Sequence, residues 1–347
     1  NLDMLENYEE YFLNPTMKEY FLESKLYTLQ LEVTTRCPQN CIYCYTRYDV
    51  PKLQDIPLST LKNIVEDAGE MEVVKIEWLG GDVLLYPHWR EVMDLATEHG
   101  IINNIWTAGS LLKDHTIAKD VVRATSGGGL VSIHIDTINE EDYKKLHKNH
   151  PSFIKATFEG LEELISLGKS PNELLNCMTF SSLVANKRFE EIVDFFMENY
   201  GITTSIVVYK PVVPGLDYLI PNLEQVRHAV EYKNQKNFSI EVPAIPQCVS
   251  KFYCGTTASV MVNGGLSVCS RIRHAVGQLG SRRFREAFNE HKDILLTKKL
   301  QQHQFLDPTC QKCSFNNICW GCRANAWYYK KSFFAGDPKC WHRVTLD

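Results

Sequence analysis

The chain has 347 residues, 44% hydrophobic and 23% charged, with a formal net charge of -5. This composition supplies ample material for a globular core and excludes several classes of protein. No basic stripe offers a footprint for nucleic acid, no apolar run reaches the roughly 18 residues of a membrane span, and Asn1 to Tyr20, acidic and aromatic, lack the basic and apolar regions of a secretion signal.

From Leu26 to Lys210, apolar β-branched runs alternate with amphipathic helical patterns. Strands are predicted at Tyr27–Thr34, Val73–Leu79, Ile101–Thr107, Leu130–Asp136, Leu174–Ser181 and Ser205–Lys210. Helices are predicted near Ser59–Glu70, Trp89–His99, Lys113–Ala124, Glu140–Lys148 leading into Lys155–Leu167, and Arg188–Tyr200. Repeated β–α units with buried strands imply a parallel sheet covered by helices. Six such units make an α/β fold, a partial (β/α)6 TIM-like barrel, with functional groups expected in the loops after the strand C-termini. After Pro211 the pattern fails. Prolines punctuate a bridge with one helix near Leu223–Tyr232, and from Cys248 onward cysteine, glycine and aromatics dominate. Such a segment is expected to lack a conventional core and to fold around metal. The expected division is an N-terminal extension (1–25), the barrel (26–211), a bridge (212–247) and a small cysteine-rich domain (248–347).

Twelve cysteines without an export signal argue against a disulfide framework, because the cytosol keeps thiols reduced. The chain is therefore expected to be cytoplasmic, with its thiols in metal, redox or catalytic roles. The first predicted strand leads into Cys37, Cys41 and Cys44, spaced C-x3-C-x2-C with the aromatic Tyr43 before the last. Three thiolates on one loop hold three irons of a [4Fe–4S] cube and leave the fourth iron open. A structural zinc site wants four ligands, and the nearest histidines, His88 and His99, lie far along the chain.

This loop resembles that of the radical S-adenosylmethionine (SAM) superfamily. In that family the open iron chelates SAM, and one electron from the cluster cleaves it to a 5′-deoxyadenosyl radical that abstracts a hydrogen from substrate. Gly80-Gly81-Asp82-Val83 resembles the family's GGEP loop, with the carboxylate one methylene shorter and the proline absent. Thr107-Ala108-Gly109 is similar to its TNG turn. The resemblance assigns Tyr43, Gly80, Gly81, Asp82, Thr107, His134 and Asp136 to the SAM region. Period-2 alternation sets Ser132, His134 and Asp136 on one face; a satisfied barrel histidine is the plainer reading of His134. Glu32 and Glu77, near strand ends, are either SAM-region contacts or helix-capping acids.

The eight C-terminal cysteines resemble a SPASM domain, which holds two auxiliary [4Fe–4S] clusters, although Cys319 and Cys322 are separated by two residues where three are usual. Carried over, Cys248, Cys254, Cys269 and Cys322 would hold the nearer cluster, and Cys310, Cys313, Cys319 and Cys340 the distal one. Cysteine-only ligation is the general rule for cubanes. With Cys248 bound, the nearer cluster has no iron free for substrate. The resemblance thus implies three [4Fe–4S] clusters, SAM and an external electron donor of flavodoxin or ferredoxin type.

Cys177, on the fifth strand, is left over: a small buried hydrophobe, or a thiol that returns a hydrogen atom to a substrate radical. Ser270-Arg271-Ile272-Arg273 stands where anaerobic sulfatase maturases have an acidic residue. Arg271 and Arg273 are either solvated surface groups or a site for a substrate carboxylate or phosphate. About 25 residues precede the first strand, too few for the leader-binding module of many peptide maturases. A peptide substrate would then bind directly or through a separate recognition protein. The expected reaction is cross-linking, epimerisation or oxidation of a peptide. The alternatives are radical chemistry on a small metabolite or cofactor precursor, and a non-catalytic iron–sulfur electron carrier or zinc protein.

Overall fold

The structure, a computed structural model, describes residues 15–238 and 250–343. After α1 (Pro15–Leu22), strands and helices alternate: β1 (Thr28–Glu32), α2 (Tyr45–Asp49), α3 (Leu58–Glu70), β2 (Lys75–Leu79), α4 (Trp89–Glu98), β3 (Ile102–Thr107), α5 (His115–Ala124), β4 (Val131–Ile133), α6 (Glu140–Leu146), α7 (Ser152–Ser166), β5 (Leu174–Phe180), α8 (Lys187–Tyr200) and β6 (Thr203–Val208). Each of the six strands pairs in parallel with the next. All five residues of β1 are buried, as in a strand covered on both faces. The helices bury one apolar stripe each, such as Leu61, Ile64 and Val65 on α3 and Phe189, Ile192, Val193 and Phe196 on α8.

Two differences from the expected elements have local causes. β4 stops at Ile133 and not at Asp136. Beyond it the Asn176 side chain substitutes for a strand partner: Ile135 N–H donates to Asn176 Oδ1 at 3.0 Å, and Asn176 Nδ2 donates to the Ile135 carbonyl at 3.1 Å. The helix read as Glu140–Lys148 ends at Leu146, because the chain then pairs with the first cysteine loop. Ile42 N–H donates to Leu146 O at 2.9 Å, Lys148 N–H donates to Asn40 O at 2.9 Å, and His147 bridges Cys41.

Past the barrel come α9 (Leu223–Phe238), α10 (Lys251–Cys254), β7 (Thr257–Val260), β8 (Gly265–Ser267), β9 (Gly277–Gln278), α11 (Phe284–Leu295), α12 (Pro308–Gln311) and α13 (Arg323–Lys330). β7 pairs in parallel with β1, and β8 and β9 continue antiparallel, giving the order β6-β5-β4-β3-β2-β1-β7-β8-β9. β6 and β9 are the two edges, so the barrel is open. The expectation that the chain from Cys248 lacks a conventional core is overturned. Val260, Leu266, Phe284 and Phe288 belong to the same buried cluster as the barrel, and a second cluster joins Phe21 of α1 to Phe252, Leu300, Ile318 and Trp320. These strands are two to four residues long, too short to print an alternating pattern in the sequence. Arg283, ahead of α11, pins this segment to α3 through the fully buried Asp67, 2.6 Å away. Among the described residues no helix is long and apolar enough to cross a membrane.

The candidate active site

The C-terminal ends of β1 to β6 surround a cavity of about 220 Å³, several times the roughly 30 Å³ share of one water. Into it come Cys37, Cys41, Tyr43 and Cys44 after β1, Gly80 and Gly81 after β2, Thr107 at the end of β3, His134 after β4, Cys177 within β5, and Lys210 after β6. Ser270 and Arg271, after β8, complete the wall.

The first cysteine loop is held from several sides. Gly81 N–H donates to Thr34 O and Asp82 N–H to Arg36 O, both at 2.6 Å. This close approach explains the glycine pair. A Cβ at Gly80, whose φ is +135°, would collide with the Thr34 carbonyl, and one at Gly81 with the Arg36 carbonyl. Cys44 caps α2, its sulfur accepting from Arg47 N–H at 3.5 Å. The three thiols are electrostatic neighbours, and burial pushes the Cys37 thiol up to about 12 and Cys41 well above its ordinary value.

Asp82 and Asp136 line none of the cavity. Asp82 is fully buried, accepting from Thr107 Oγ1 at 2.8 Å, Ala108 N–H at 3.0 Å and Leu84 N–H at 3.1 Å. It ties the glycine turn to the end of β3. Asp136 turns away where β4 ends. Its carboxylate accepts from the Tyr43 hydroxyl and from Thr179 N–H at 2.7 Å, and lies 3.2 Å from both His134 Nε2 and His147 Nε2. His134 does face the cavity. Its Nδ1 is 2.8 Å from the Cys177 carbonyl, an acceptor only, so Nδ1 carries the proton. Burial, with charge repulsion from His147, holds this imidazole down to about 4, against the pull of that carbonyl.

Neither arginine is a solvated surface group. The Arg273 side chain is 5% exposed and outside the cavity, paired with Glu32 and, at 2.9 Å, with Asp49. Tyr45 lies under its guanidinium at 5.4 Å. Arg271 lines the cavity. Glu32 and Glu77 cap no helix: Glu32 serves Arg273, and Glu77, inside the cavity, accepts from Gln30 Nε2 at 2.7 Å and the Tyr253 hydroxyl at 2.8 Å. Sequence reasoning missed Lys210, although its place at a strand C-terminus marked it. It also missed Tyr253, which no local pattern flags, since its partner lies 176 residues away.

In the C-terminal segment Cys254, Cys269 and Cys322 are mutual electrostatic neighbours, as are Cys310, Cys319 and Cys340 with Cys313 beside them. Cys248 lies outside the described residues. Backbone N–H groups donate to sulfur at Cys269 (3.4 Å), Cys313 (3.5 Å) and Cys319 (3.1 Å), while burial pushes the Cys269 and Cys319 thiols up. Among the described residues no three His, Cys, Asp or Glu side chains converge tightly enough for a single metal ion. The cavity is walled by Trp106, Ser132 and Tyr209 among others, and Trp106 Nε1, Ser132 Oγ and the Tyr209 hydroxyl are buried without hydrogen-bond partners among the described residues.

Two curated relatives align with the chain. A probable GTP 3',8-cyclase of Methanopyrus kandleri is 24% identical over 62% of this chain and 72% of its own. An AdoMet-dependent heme synthase of Methanosarcina barkeri is 22% identical over 90% and 95%. Among solved structures, Streptococcus suis SuiB bound to precursor peptide SuiA superposes with TM-score 0.64 at 17% identity, over 92% of this chain and 76% of its own. anSMEcpe with bound AdoMet and a peptide superposes with TM-score 0.70 at 15% identity, over 92% and 95%. Residues 31–196, which run from the end of β1 into α8 and carry the first cysteine loop and the glycine turn, match the family model of the radical SAM superfamily, so this part of the chain is a radical SAM domain.

Proposed function

We propose that this radical SAM enzyme holds three [4Fe–4S] clusters and abstracts a hydrogen from a peptide, leading to a cross-link, an epimer or an oxidised residue. The observation that carries this reading is one cavity shared by the Cys37/Cys41/Cys44 loop, the Gly80–Gly81 turn, Cys177 and Arg271. When bound, the first cluster and SAM supply the 5′-deoxyadenosyl radical, given one electron from an external flavodoxin- or ferredoxin-type donor. The chain's own residues position and shield. Cys37, Cys41 and Cys44 would ligate the cluster. The backbone of Gly80 and Gly81 would lie against the methionine end of SAM, with Asp82 holding that turn to Thr107. Tyr43 and His134, locked together over Asp136, would form the floor. Cys254, Cys269 and Cys322, with Cys248, would ligate one auxiliary cluster, and Cys310, Cys313, Cys319 and Cys340 the other. Where the product is an epimer, Cys177, 6% exposed on the cavity wall, would return a hydrogen atom to the substrate radical, and the thiyl radical left behind would be reduced and protonated again with an electron from the external donor.

Support for a peptide comes from SuiB and anSMEcpe, which share the fold and whose structures hold bound peptides; a separate leader-recognition protein is compatible with it. The second reading, a small metabolite, is favoured by the heme synthase, which aligns over nearly the whole chain.

Anaerobic enzyme is expected to carry about twelve irons and, reduced with dithionite, to convert SAM to 5′-deoxyadenosine. A Cys37/Cys41/Cys44→Ala variant should do neither at the first site. Equal 5′-deoxyadenosine from that variant would reject the reading. With Cys177→Ala, SAM should still be cleaved while the product changes; an identical product would remove Cys177 from the chemistry.

A further inference from the structure

The outer side of the first cysteine loop is covered by two short stretches of chain. α2 follows Cys44 directly. Its first residues, Tyr45 and Thr46, line the cavity, whereas Arg47 and Tyr48 are exposed. The backbone N–H of Arg47 donates to the Cys44 sulfur at 3.5 Å, so one hydrogen bond joins an exposed residue to a candidate cluster ligand. The chain then doubles back over the approach to Cys37: Thr35 N–H donates to Gln54 O at 2.9 Å, and Thr35 Oγ1 to Lys52 O at 3.3 Å. From the other flank Lys148 N–H donates to Asn40 O at 2.9 Å, and the Arg47 guanidinium reaches the Asn40 side chain. The chain carries a net charge of -5, but on this face cations prevail. Both acids between residues 36 and 55 are engaged, Asp55 with Arg36 at 3.2 Å and Asp49 with Arg273 at 2.9 Å. Arg47, Lys52 and Lys148 are exposed and form no ion pair among the described residues. Tyr48 and Leu53, 53% and 73% exposed, are two of the five large exposed hydrophobic side chains among the described residues. Apolar groups gathered on one surface and rimmed by charge mark a place where another protein sits.

We infer that this face is the docking surface of an acidic one-electron carrier protein, which delivers its electron to the first cysteine loop through Arg47 and Cys44 and not by way of the C-terminal cysteines. This rests on the reading that Cys37, Cys41 and Cys44 hold the cluster that cleaves SAM. Each encounter moves one electron: the carrier is oxidised by one, the first cluster is reduced by one, and no proton or bond changes hands. Tunnelling falls steeply with distance, so the carrier has to sit where a ligand sulfur comes close to the surface through bonded contacts. Opposite charge steers it there, an effect that salt screens. Tyr48 and Leu53 supply apolar contact once it has docked. The competing point of entry is the distal group of thiols, where Lys312 is exposed between Cys310 and Cys313.

The test titrates iron-loaded enzyme anaerobically with two acidic probes, a bacterial flavodoxin and a two-cluster ferredoxin, both oxidised, and follows binding by calorimetry without turnover. Saturable binding of at least one is expected, weakening as salt is added. K52E/K148E should weaken it by about tenfold or more. Y48S should weaken it with the salt dependence unchanged, and K312E should bind as wild type does. Production of 5′-deoxyadenosine is then compared with dithionite and with the bound probe, in reduced form, as the source of electrons; K52E/K148E should slow only the second. No saturable binding of either probe below about 1 mM overturns the inference. So does weaker binding in K312E with none in K52E/K148E, which moves the entry to the distal group, and so does equal slowing of both reactions in K52E/K148E. Wild type that binds a probe but forms no 5′-deoxyadenosine with dithionite would reject the radical reading while leaving the docking result to stand on its own.

Discussion

His134 carries a proton on Nδ1, committed to the Cys177 carbonyl, and presents Nε2 to the Tyr43 hydroxyl 3.0 Å away. In the folded protein this ring resists a second proton down to about pH 4. An unfolded chain takes that proton near its ordinary value of about 6.5. The folded value is depressed, so the unfolded state binds more protons inside this window. Stability from this residue is therefore complete above pH 6.5 and is lost as the pH falls toward 4, by roughly 3 kcal/mol in all. Urea unfolding at a series of pH values should show a steeper acid loss for wild type than for His134→Gln; parallel curves would mean the ring titrates alike in both states. Much of this neighbourhood was legible in the residues. Cys37, Cys41, Tyr43, Cys44 and the glycine pair sit where strand ends were expected to present them. Asp82 and Asp136 were not legible as supports, because a sequence shows that a carboxylate lies near a strand end and not which way the chain turns after it. Asn176, which ends β4, redirects Asp136 from a distance of forty residues.

Among the elements, the one that most departs from expectation is the loop after β8. Arg273 crosses from it to Glu32 at the end of β1 and to Asp49 at the end of α2, with Tyr45 of that helix beneath it. The first cysteine loop runs between β1 and α2, so one buried guanidinium clasps both of its ends to the loop that carries Cys269. Burial pushes the Glu32 carboxyl up, and Arg273 offsets only part of this. Removing one partner strands a charge in the interior, at a cost of about 3–5 kcal/mol, whereas replacing both by apolar groups is close to neutral. Arg273→Met is thus expected to destabilise by that amount in urea titrations, and the Glu32→Leu/Arg273→Met double variant to regain most of it. A single variant within about 1 kcal/mol of wild type would show that the clasp contributes little. Elements of this kind escape a reading by periodicity: the parallel strands announced themselves as long β-branched runs, while the contact between residues 32 and 273 leaves no local trace.

Across the whole molecule, burial of apolar groups and the proposed binding of iron would divide the labour unevenly. β7, β8 and α11 extend the barrel's own sheet and core, through Val260, Leu266, Phe284 and Phe288, so their stability comes from apolar burial that needs no metal. Residues 300–343 differ. Their regular structure is two short helices, α12 and α13, and short turns. Their apolar clusters are small and include thiols as members: Cys310 and Cys319 flank the one around Ile318 and Trp320, and Cys322 sits within the one around Val268 and Phe333. With the proposed auxiliary clusters bound, metal–thiolate bonds would take the place of a larger core in such a segment, and binding free energy would become folding free energy. Stripping iron from the enzyme should therefore unlock the molecule in two stages. Amide hydrogen exchange is expected to lose protection first across residues 300–343, while the amides of β1 to β7 and α11 stay protected. Simultaneous loss in the barrel strands would mean that the clusters hold the whole fold and not residues 300–343 alone. Unchanged protection at 300–343 would mean that those two clusters of side chains suffice by themselves.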